Sequence, residues 1–243
     1  MKVVILNSGR GKRMLGFTRN KPKCLVELDG KTILGSQIEN FMHYGLNEFV
    51  ITTGYFGNKI KEFMSSNFPE AKVEYVYNPM YKSTNYIYSL FLARGKIKGD
   101  VMLLHGDMVF DKIILGKLLK SRKNSCAIVE KNFKAEIKNR FIKISAKDFK
   151  AEIKNKFIKR IGVYISGKSV FNLFPVYKLS KKDFAVWMNK IKELVKAGKV
   201  NIYAEEAFNL ISGKIKIYPI YFKNELCMEI DDANDLNKAR KYF

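Results

Sequence analysis

A short loop near the start of the chain, residues 6–14 (LNSGRGKRM), combines two glycines with three cations. It follows an apolar run, residues 3–6, that predicts a strand. Gly9 and Gly11 can take positive φ and let backbone N–H groups approach a ligand, while Arg13 adds charge that bare amides lack. Phosphate is the expected ligand. On these residues alone a plain glycine-rich turn is an equal alternative, because the spacing matches neither the Walker loop nor GxGxxG.

A second group of cations follows in residues 18–27 (TRNKPKCLVE). Pro22 biases Lys21 toward an extended backbone, which should fix the direction of Lys23. A strand, then Gly-x-Gly-x-Arg, then Pro-Lys-x-Leu resembles the opening of the nucleotidyltransferases that activate sugar phosphates and related phosphate esters. The resemblance implies that the loop and the lysine bind the triphosphate of a nucleotide and that Arg13 and Lys23 act in catalysis. The nucleotide-binding residues it implies here are Leu6, Ser8, Gly9, Gly11, Arg13 and Lys23.

A carboxylate ends the next apolar strand, residues 101–107 (VMLLHGD). In an open α/β sheet ligands collect beyond the carboxyl ends of the strands, so Asp107 should emerge beside the phosphate loop as a metal ligand. Capping the next helix is an alternative use for an acid here, but Asp111 is better placed for it. The family often has a second acid where this chain has His105, which we interpret as a structural or polar-contact residue.

The carboxylates of residues 229–231 (EID) form a second candidate metal segment near the end of the chain. Strand alternation puts Glu229 and Asp231 on the same side. Capping of the last helix could explain Asp231 or Asp232, but not Glu229 as well. The triplet matches the family's second metal-binding segment, and the resemblance implies Mg²⁺ held by Asp107 and Asp231 with help from Glu229.

Two further segments resemble the bacterial CTP:phosphocholine cytidylyltransferases. In residues 78–90 (NPMYKSTNYIYSL), Ser83 or Thr84 could cap a helix, and the resemblance implies that Asn85 and Ser89 lie near the base and ribose. Residues 201–208 (NIYAEEAF) resemble the acidic-aromatic segment of the acceptor pocket, which implies that Tyr203 and Glu205 hold a quaternary ammonium. Ordinary helix surface is an equal alternative for the glutamates.

The elements between these motifs alternate in type. Helices with apolar faces at 34–42 and 60–64 separate apolar strands at 49–51 and 73–77, which predicts parallel strands and an α/β fold. Further strands are expected at 161–165 and 214–222. One further helix is expected after Ser180, and residues 229–236 are expected to open the last helix. The resemblance implies one nucleotidyltransferase domain over residues 1–243, with a Rossmann-like, mixed, mostly parallel sheet flanked by helices, and a small β-rich acceptor lobe.

One stretch of the chain is duplicated. Residues 133–143 recur sixteen positions later, at 149–159, as FKAEIKN(R/K)FIK. Two copies are too few for a solenoid, so the repeat predicts two similar strand-turn units forming a basic, β-rich insertion over 131–160. The phenylalanines suit packing, so a solvated edge or an oligomer contact is favoured over a nucleic-acid surface.

The chain has 45 Lys+Arg against 23 Asp+Glu, a formal charge of +22 that would attract any polyanion. No RNP signature, zinc-finger spacing or recognition-helix pattern accompanies it, so specific nucleic-acid binding is not expected. The three cysteines lack a CxxC spacing and support neither a disulfide framework nor a zinc site. Without an apolar run of membrane-spanning length or a signal-peptide h-region, a cytoplasmic protein without a membrane span is expected.

These observations predict a cytidylyltransferase. The expected partners are CTP and a phosphorylated small molecule such as phosphocholine, whose phosphate oxygen attacks the α-phosphorus in line and expels pyrophosphate. The sequence offers cations, carboxylates and glycines rather than a nucleophile–base pair, which suits a reaction that depends on positioning and charge. A sugar-1-phosphate nucleotidyltransferase and a basic nucleic-acid-binding protein are the alternatives, and the oligomeric state is left open.

Overall fold

The computed structural model describes residues 1–130 and 148–242 of the chain. The strands in these ranges are β1 (Lys2–Asn7), β2 (Glu27–Leu28), β3 (Lys31–Thr32), β4 (Glu48–Thr53), β5 (Lys72–Tyr77), β6 (Val101–His105), β7 (Met108–Phe110), β8 (Cys126–Glu130), β9 (Lys150–Lys154), β10 (Phe157–Gly162), β11 (Val170–Leu179), β12 (Tyr218–Phe222) and β13 (Cys227–Glu229). The helices are α1 (Leu15–Thr18), α2 (Ile33–His43), α3 (Gly57–Asn67), α4 (Tyr86–Ala93), α5 (Lys112–Lys120), α6 (Lys181–Lys196), α7 (Ala204–Asn209) and α8 (Ala233–Ala239). None of the helices in these two ranges has both the length and the apolar character that crossing a bilayer requires.

The first half of the chain builds the parallel part of the central sheet. Strands β5, β4, β1 and β6 lie side by side in that order, and every neighbouring pair is parallel. Strands β1 and β6 are buried on both faces, which explains why their sequences are apolar throughout. The prediction of parallel strands joined by helical crossovers is confirmed.

The second half adds an antiparallel part through β11. This strand pairs with β6 through its last residues, with β8 through its middle and with β9 through its first residues. The sequence analysis missed β11 because Pro175 interrupts the run. The structure accommodates the proline at a register shift between Phe174 and Tyr177.

Two apolar clusters cover the faces of this sheet. One contains Val4 and Leu6 of β1 and packs against α4, α6 and α7, with Trp187 buried at its centre. The other contains Val3 and Ile5 of β1 and packs against α2, α3 and α5. The alternating residues of β1 thus divide between two helical layers, as a sheet covered on both faces requires.

The second copy of the duplicated segment forms the hairpin β9–β10. Asn155 and Lys156 at its turn have φ of 52° and 68°, the combination that a two-residue hairpin turn favours. Phe149 at its start is buried, and the Phe157 ring packs edge-on against Tyr218. The first copy, residues 133–143, lies outside the described residues, and the prediction of two equivalent units stays a prediction for that copy.

Several predicted element ends are wrong. Asn85, rather than Ser83 or Thr84, is the N-cap of α4, and its side chain accepts the Tyr86 N–H. Asp111 does precede α5, but its carboxylate accepts the backbone N–H of Leu226 instead of capping the helix.

The strand expected at 161–165 ends at Gly162, and the strand expected from 214 begins at Tyr218. The predicted cap of α6 is confirmed, because Ser180 accepts the Asp183 N–H. These boundaries depend on neighbouring backbone groups that periodicity does not reveal.

Candidate active site

A cleft of about 440 Å³ opens at the carboxyl ends of β1 and β6. This is where an open α/β sheet collects its ligands, because the connecting loops diverge there. Residues from the whole chain line it: 6–13, Lys23, Cys24, Asn78, Tyr81, Lys82, 84–86, Ser89, 105–107, Phe149, Asn201, Tyr203, Glu229 and Asp231.

The glycine loop forms one wall of the cleft. Gly11 has φ of +60°, and a Cβ there would lie 3.0 Å from the Lys23 Cβ, so the position needs glycine for both conformation and space. Gly9 does not adopt a positive φ, so that part of the expectation is wrong. A side chain at Gly9 would meet no atom within 4 Å, which leaves the loop open toward the cleft. Thr18 holds the loop by donating its hydroxyl to the carbonyl of Gly11.

Cations and carboxylates from distant motifs meet at the end of this loop. Lys23 Nζ lies 2.7 Å from Asp107 Oδ2 and 3.0 Å from Asp231 Oδ1. Arg13 Nη2 lies 2.6 Å from the same oxygen of Asp231. Asp232 caps α8 through the N–H groups of the following turn, which leaves Asp231 to these cations.

The charges in this cluster stabilise one another. Burial alone would lower the pKa of Lys23, but the neighbouring charges of Asp107 and Asp231 outweigh it and raise that pKa. Burial alone would raise the pKa of Asp107, but the charge of Lys23 outweighs it and lowers that pKa. Both groups are therefore charged at neutral pH, and the charged ammonium of Lys23 lies beside the glycine loop.

A second group, His105, Asp107 and Glu229, could hold a metal ion. One possible ligand atom from each residue lies within 4.8 Å of the others. His105 Nδ1 is 3.4 Å from Glu229 Oε1. Burial raises the pKa of Glu229 to about 7, although the hydrogen bond with His105 acts in the opposite direction. Asp231, the third predicted ligand, is outside this group of three, and one of its oxygens contacts Arg13 and Lys23.

Aromatic rings also line the cleft. Tyr203 is 38% exposed, and its ring centroid lies 5.8 Å from Tyr86 and 5.1 Å from Phe149. The predicted partner of Tyr203, Glu205, does not line the cleft: it is 2% exposed and accepts hydrogen bonds from the hydroxyls of Tyr86 and Tyr177. Its carboxylate therefore lies behind the aromatic wall, and the structure does not bring it into contact with the cleft.

The predicted base and ribose contacts differ in their accessibility. Asn85 lines the cleft at the start of α4. Ser89 lies at its edge but is 1% exposed, and its hydroxyl accepts a hydrogen bond from Asn78. Ser89 therefore supports Asn78 in this structure.

The sequence analysis did not assign Asn7, Tyr86 or Phe149 to the site, although all three line the cleft. Asn7 could have been found from its position at a strand end directly before the glycine loop. Phe149 carried no such signal, because it enters the cleft only through the pairing of β9 with β11.

Solved structures of other proteins share the fold of this chain. The solved inositol-1-phosphate CTP transferase from T. maritima superposes with a TM-score of 0.79 at 22% identity, covering 99% of this chain and 93% of that one. The solved CTP:phosphocholine cytidylyltransferase from Streptococcus pneumoniae gives a TM-score of 0.76 at 20% identity, with 99% and 98% covered. These likenesses confirm the Rossmann-like nucleotidyltransferase fold.

Curated relatives match over shorter segments. The CTP:phosphoglutamine cytidylyltransferase of Campylobacter jejuni is 26% identical over 140 residues, 55% of this chain and 54% of the relative. The choline-phosphate cytidylyltransferase of S. pneumoniae is 30% identical over 121 residues, 50% of this chain and 51% of the relative. The matched segments thus span about half the length of these two relatives. The profile of the MobA-like NTP transferase domain matches residues 3–242, and the chain therefore belongs to this family of nucleotidyltransferases.

Proposed function

We propose that the protein transfers a cytidylyl group from CTP to a phosphorylated amino alcohol, phosphocholine or a similar ester, and releases pyrophosphate. One observation carries the proposal: Arg13 and Lys23 meet Asp107 and Asp231 in a cleft that Tyr86, Phe149 and Tyr203 also line. The first feature suits a triphosphate, and the second suits an organic cation.

The choice of CTP is supported by the relatives. Besides the two cytidylyltransferases above, the CMP-5'-(3-aminopropyl)phosphonate synthase of Streptomyces rubellomurinus is 31% identical over 118 residues, 49% of this chain and 19% of that protein. The names of all three specify a cytidine nucleotide. Two of the three name an amine, choline or aminopropyl, in the other substrate or product.

The residues of the cleft suit an in-line phosphoryl substitution. An oxygen of the acceptor phosphate forms a bond to the α-phosphorus of CTP while the bond to pyrophosphate breaks, so no protein nucleophile is needed. Arg13 and Lys23 lie at the open end of the glycine loop, where they can bind phosphate oxygens and neutralise the charge that moves to pyrophosphate. Lys23 carries three N–H donors and can contact a phosphate while it remains near a carboxylate.

The carboxylates fit a magnesium ion. Asp107 Oδ1 is buried and has no hydrogen-bond partner among the described residues, and oxygen is the ligand that Mg²⁺ prefers. Asp107 and Asp231 would hold the ion, with Glu229 assisting. When bound, Mg²⁺ would supply Lewis-acid chemistry that offsets negative charge on the phosphates.

The acceptor side of the cleft favours a cation over a sugar. The ring centroid of Tyr203 lies 5.8 Å from that of Tyr86 and 5.1 Å from that of Phe149. A cation over such aromatic faces gains about 0.5–2 kcal/mol depending on desolvation. Glu205 adds negative charge from behind Tyr86. A sugar would instead require several neutral hydrogen-bonding groups in fixed positions.

A matrix of nucleotides and acceptors tests the proposal. Pyrophosphate release is measured for CTP, UTP and dTTP, each with phosphocholine, phosphoethanolamine and glucose 1-phosphate. We expect the highest kcat/KM with CTP and an amino-alcohol phosphate. Faster turnover with glucose 1-phosphate would assign the protein to the sugar-1-phosphate enzymes. No turnover with any pair, together with tight, salt-sensitive binding of DNA or RNA, would favour a nucleic-acid-binding protein.

A further inference from the structure

Buried polar atoms without a hydrogen-bond partner are concentrated in the cleft. The described residues contain six such side-chain atoms, and four belong to residues that line the cleft: Asn7, Ser8, His105 and Asp107. An unpaired buried polar group costs about 1–3 kcal/mol of stability, so the concentration of such groups in one cleft indicates that a ligand supplies missing partners there. The roles discussed above account for Asp107, Ser8 and His105, but not for Asn7.

Asn7 is the last residue of β1 and is 6% exposed. Its backbone N–H donates to Thr52 Oγ1, while its side-chain Nδ2 has no partner among the described residues. The carboxamide lies directly across Gly106, because a Cβ at Gly106 would be only 1.6 Å from Asn7 Oδ1. Glycine at 106 thus makes room for the amide beside Asp107.

The strand pattern places Asn7 on the phosphate side of the cleft. By alternation its side chain shares a face with Val3 and Ile5, in the cluster that also contains Cys24, the neighbour of Lys23. Phe149 belongs to the cluster on the opposite face of the sheet, and Tyr86 packs against that cluster. A ligand group that reaches Asn7 therefore lies on the side of Lys23 rather than on the side of Tyr86 and Phe149.

We propose that Asn7 is a binding residue of the nucleotide site, whose carboxamide donates a hydrogen bond to an oxygen of the bound nucleotide. This inference rests on the proposed function, because it takes the ligand to be a nucleoside triphosphate. The oxygen belongs to a phosphate or to the ribose, since both chemistries accept an amide N–H.

If Asn7 donates a hydrogen bond to the nucleotide, Asn7→Ala should weaken CTP binding without lowering the stability of the free protein. In the free protein Asn7→Ala removes a group whose donor is unpaired, so the melting temperature should stay unchanged or rise slightly. The dissociation constant for CTP, measured by calorimetry without an acceptor, should rise roughly five- to fiftyfold, the range for one lost hydrogen bond to an oxygen that is neutral or charged. The KM of the acceptor should change less than about twofold.

Asn172→Ala is the matched control. Asn172 is also a buried asparagine with one unpaired atom, but it lies outside the cleft, and its Nδ2 donates to Glu130 Oε2 at 2.8 Å. This variant should lower the melting temperature and leave the dissociation constant for CTP unchanged. The two asparagines thus give opposite results.

Two further arms identify the oxygen. If it belongs to a phosphate, Asn7→Asp should weaken CTP binding more than Asn7→Ala does, because a carboxylate repels the anion. If it belongs to the ribose, wild-type protein should bind 2′-deoxy-CTP as weakly as Asn7→Ala binds CTP. Either result supports the inference.

The inference is overturned if Asn7→Ala folds and binds CTP within twofold of wild type, whatever its melting temperature, while the wild type binds CTP and turns it over. The proposed function would then stand without it. If the wild type binds no nucleoside triphosphate, both conclusions fail together. Should Asn7→Ala not fold, Asn7→Ser gives the same comparison with a smaller polar side chain.

Discussion

Replacement of Lys23 by alanine tests whether this lysine contacts phosphate directly or only contributes to the diffuse positive charge of the protein. Within residues 1–130 and 148–242, the Lys23 ammonium is the one group that forms ion pairs with both Asp107 and Asp231, and its side chain is only 14% exposed. Losing a charge-assisted phosphate contact that strengthens toward the transition state should cost about 2–4 kcal/mol in kcat/KM, or roughly thirty- to a thousandfold.

The same change should destabilise the free protein. It leaves two carboxylates close together with only Arg13 to neutralise Asp231. Breaking a fully buried ion pair costs about 3–5 kcal/mol, and because Asp107 and Asp231 keep some exposure we expect about 2–3 kcal/mol in the free energy of unfolding.

The parts of this loss that come from the charges of Asp107 and Lys23 should be constant between about pH 5 and 9, whereas Glu229, beside Asp107, has a pKa of about 7 and titrates within that range. The pKa of Asp107 is lowered in the folded protein, so its contribution disappears only as pH falls below the ordinary carboxyl pKa of about 3.9. The pKa of Lys23 is raised, so its contribution disappears only as pH rises beyond the ordinary lysine pKa of about 10.4.

Two lysines serve as controls, with pyrophosphate release and urea unfolding as the assays. Lys21 lies two positions before Lys23 and reaches Glu27 at 3.4 Å, and Lys154 pairs with Glu152 on the β9–β10 hairpin. Lys21→Ala and Lys154→Ala should each change kcat/KM less than about twofold, because exposed ion pairs contribute little. Equal losses of kcat/KM in Lys154→Ala and Lys23→Ala would indicate diffuse electrostatic attraction instead of a specific phosphate contact. Near-normal turnover by Lys23→Ala would refute the specific contact directly.

Three further changes probe other parts of the molecule. Asp107→Asn should lower kcat by on the order of a hundredfold and weaken the response of the rate to Mg²⁺, and near-normal turnover of the folded variant would contradict its role as a ligand. Tyr203→Ala should raise the acceptor KM roughly two- to thirtyfold with the KM for CTP unchanged, whereas Tyr203→Phe keeps the ring and should have little effect. Glu225 has its pKa lowered to about 2 by its hydrogen bond with Lys117, so Glu225→Gln should lose about 1 kcal/mol of unfolding free energy at pH 7 after allowance for solvent screening. That difference should vanish as pH falls from about 5 to 2, and a difference that persisted at pH 2 would exclude the charged pair as its cause.

The sequence was sufficient to predict the parts of the site that depend on short-range residue patterns. A strand followed by a glycine loop, a lysine after proline and an aspartate at the end of an apolar strand are short-range patterns, and parallel topology brings their ends to one edge of the sheet. The predictions of parallel strands and of Ser180 as a helix cap were correct for the same reason: they depend on periodicity and on hydrogen bonds between near neighbours.

Only the tertiary structure decided which side chains touch. Arg13 meets Asp231 across 218 positions of sequence, and Phe149 reaches the cleft through a strand pairing that the proline in β11 had hidden. Glu205 was predicted to face an acceptor but is turned toward two tyrosine hydroxyls instead. The carboxamide of Asn7 fits into its place because Gly106, directly after the neighbouring strand β6, has no side chain. Each of these outcomes depends on register and packing between distant segments, and local residue patterns do not encode that information.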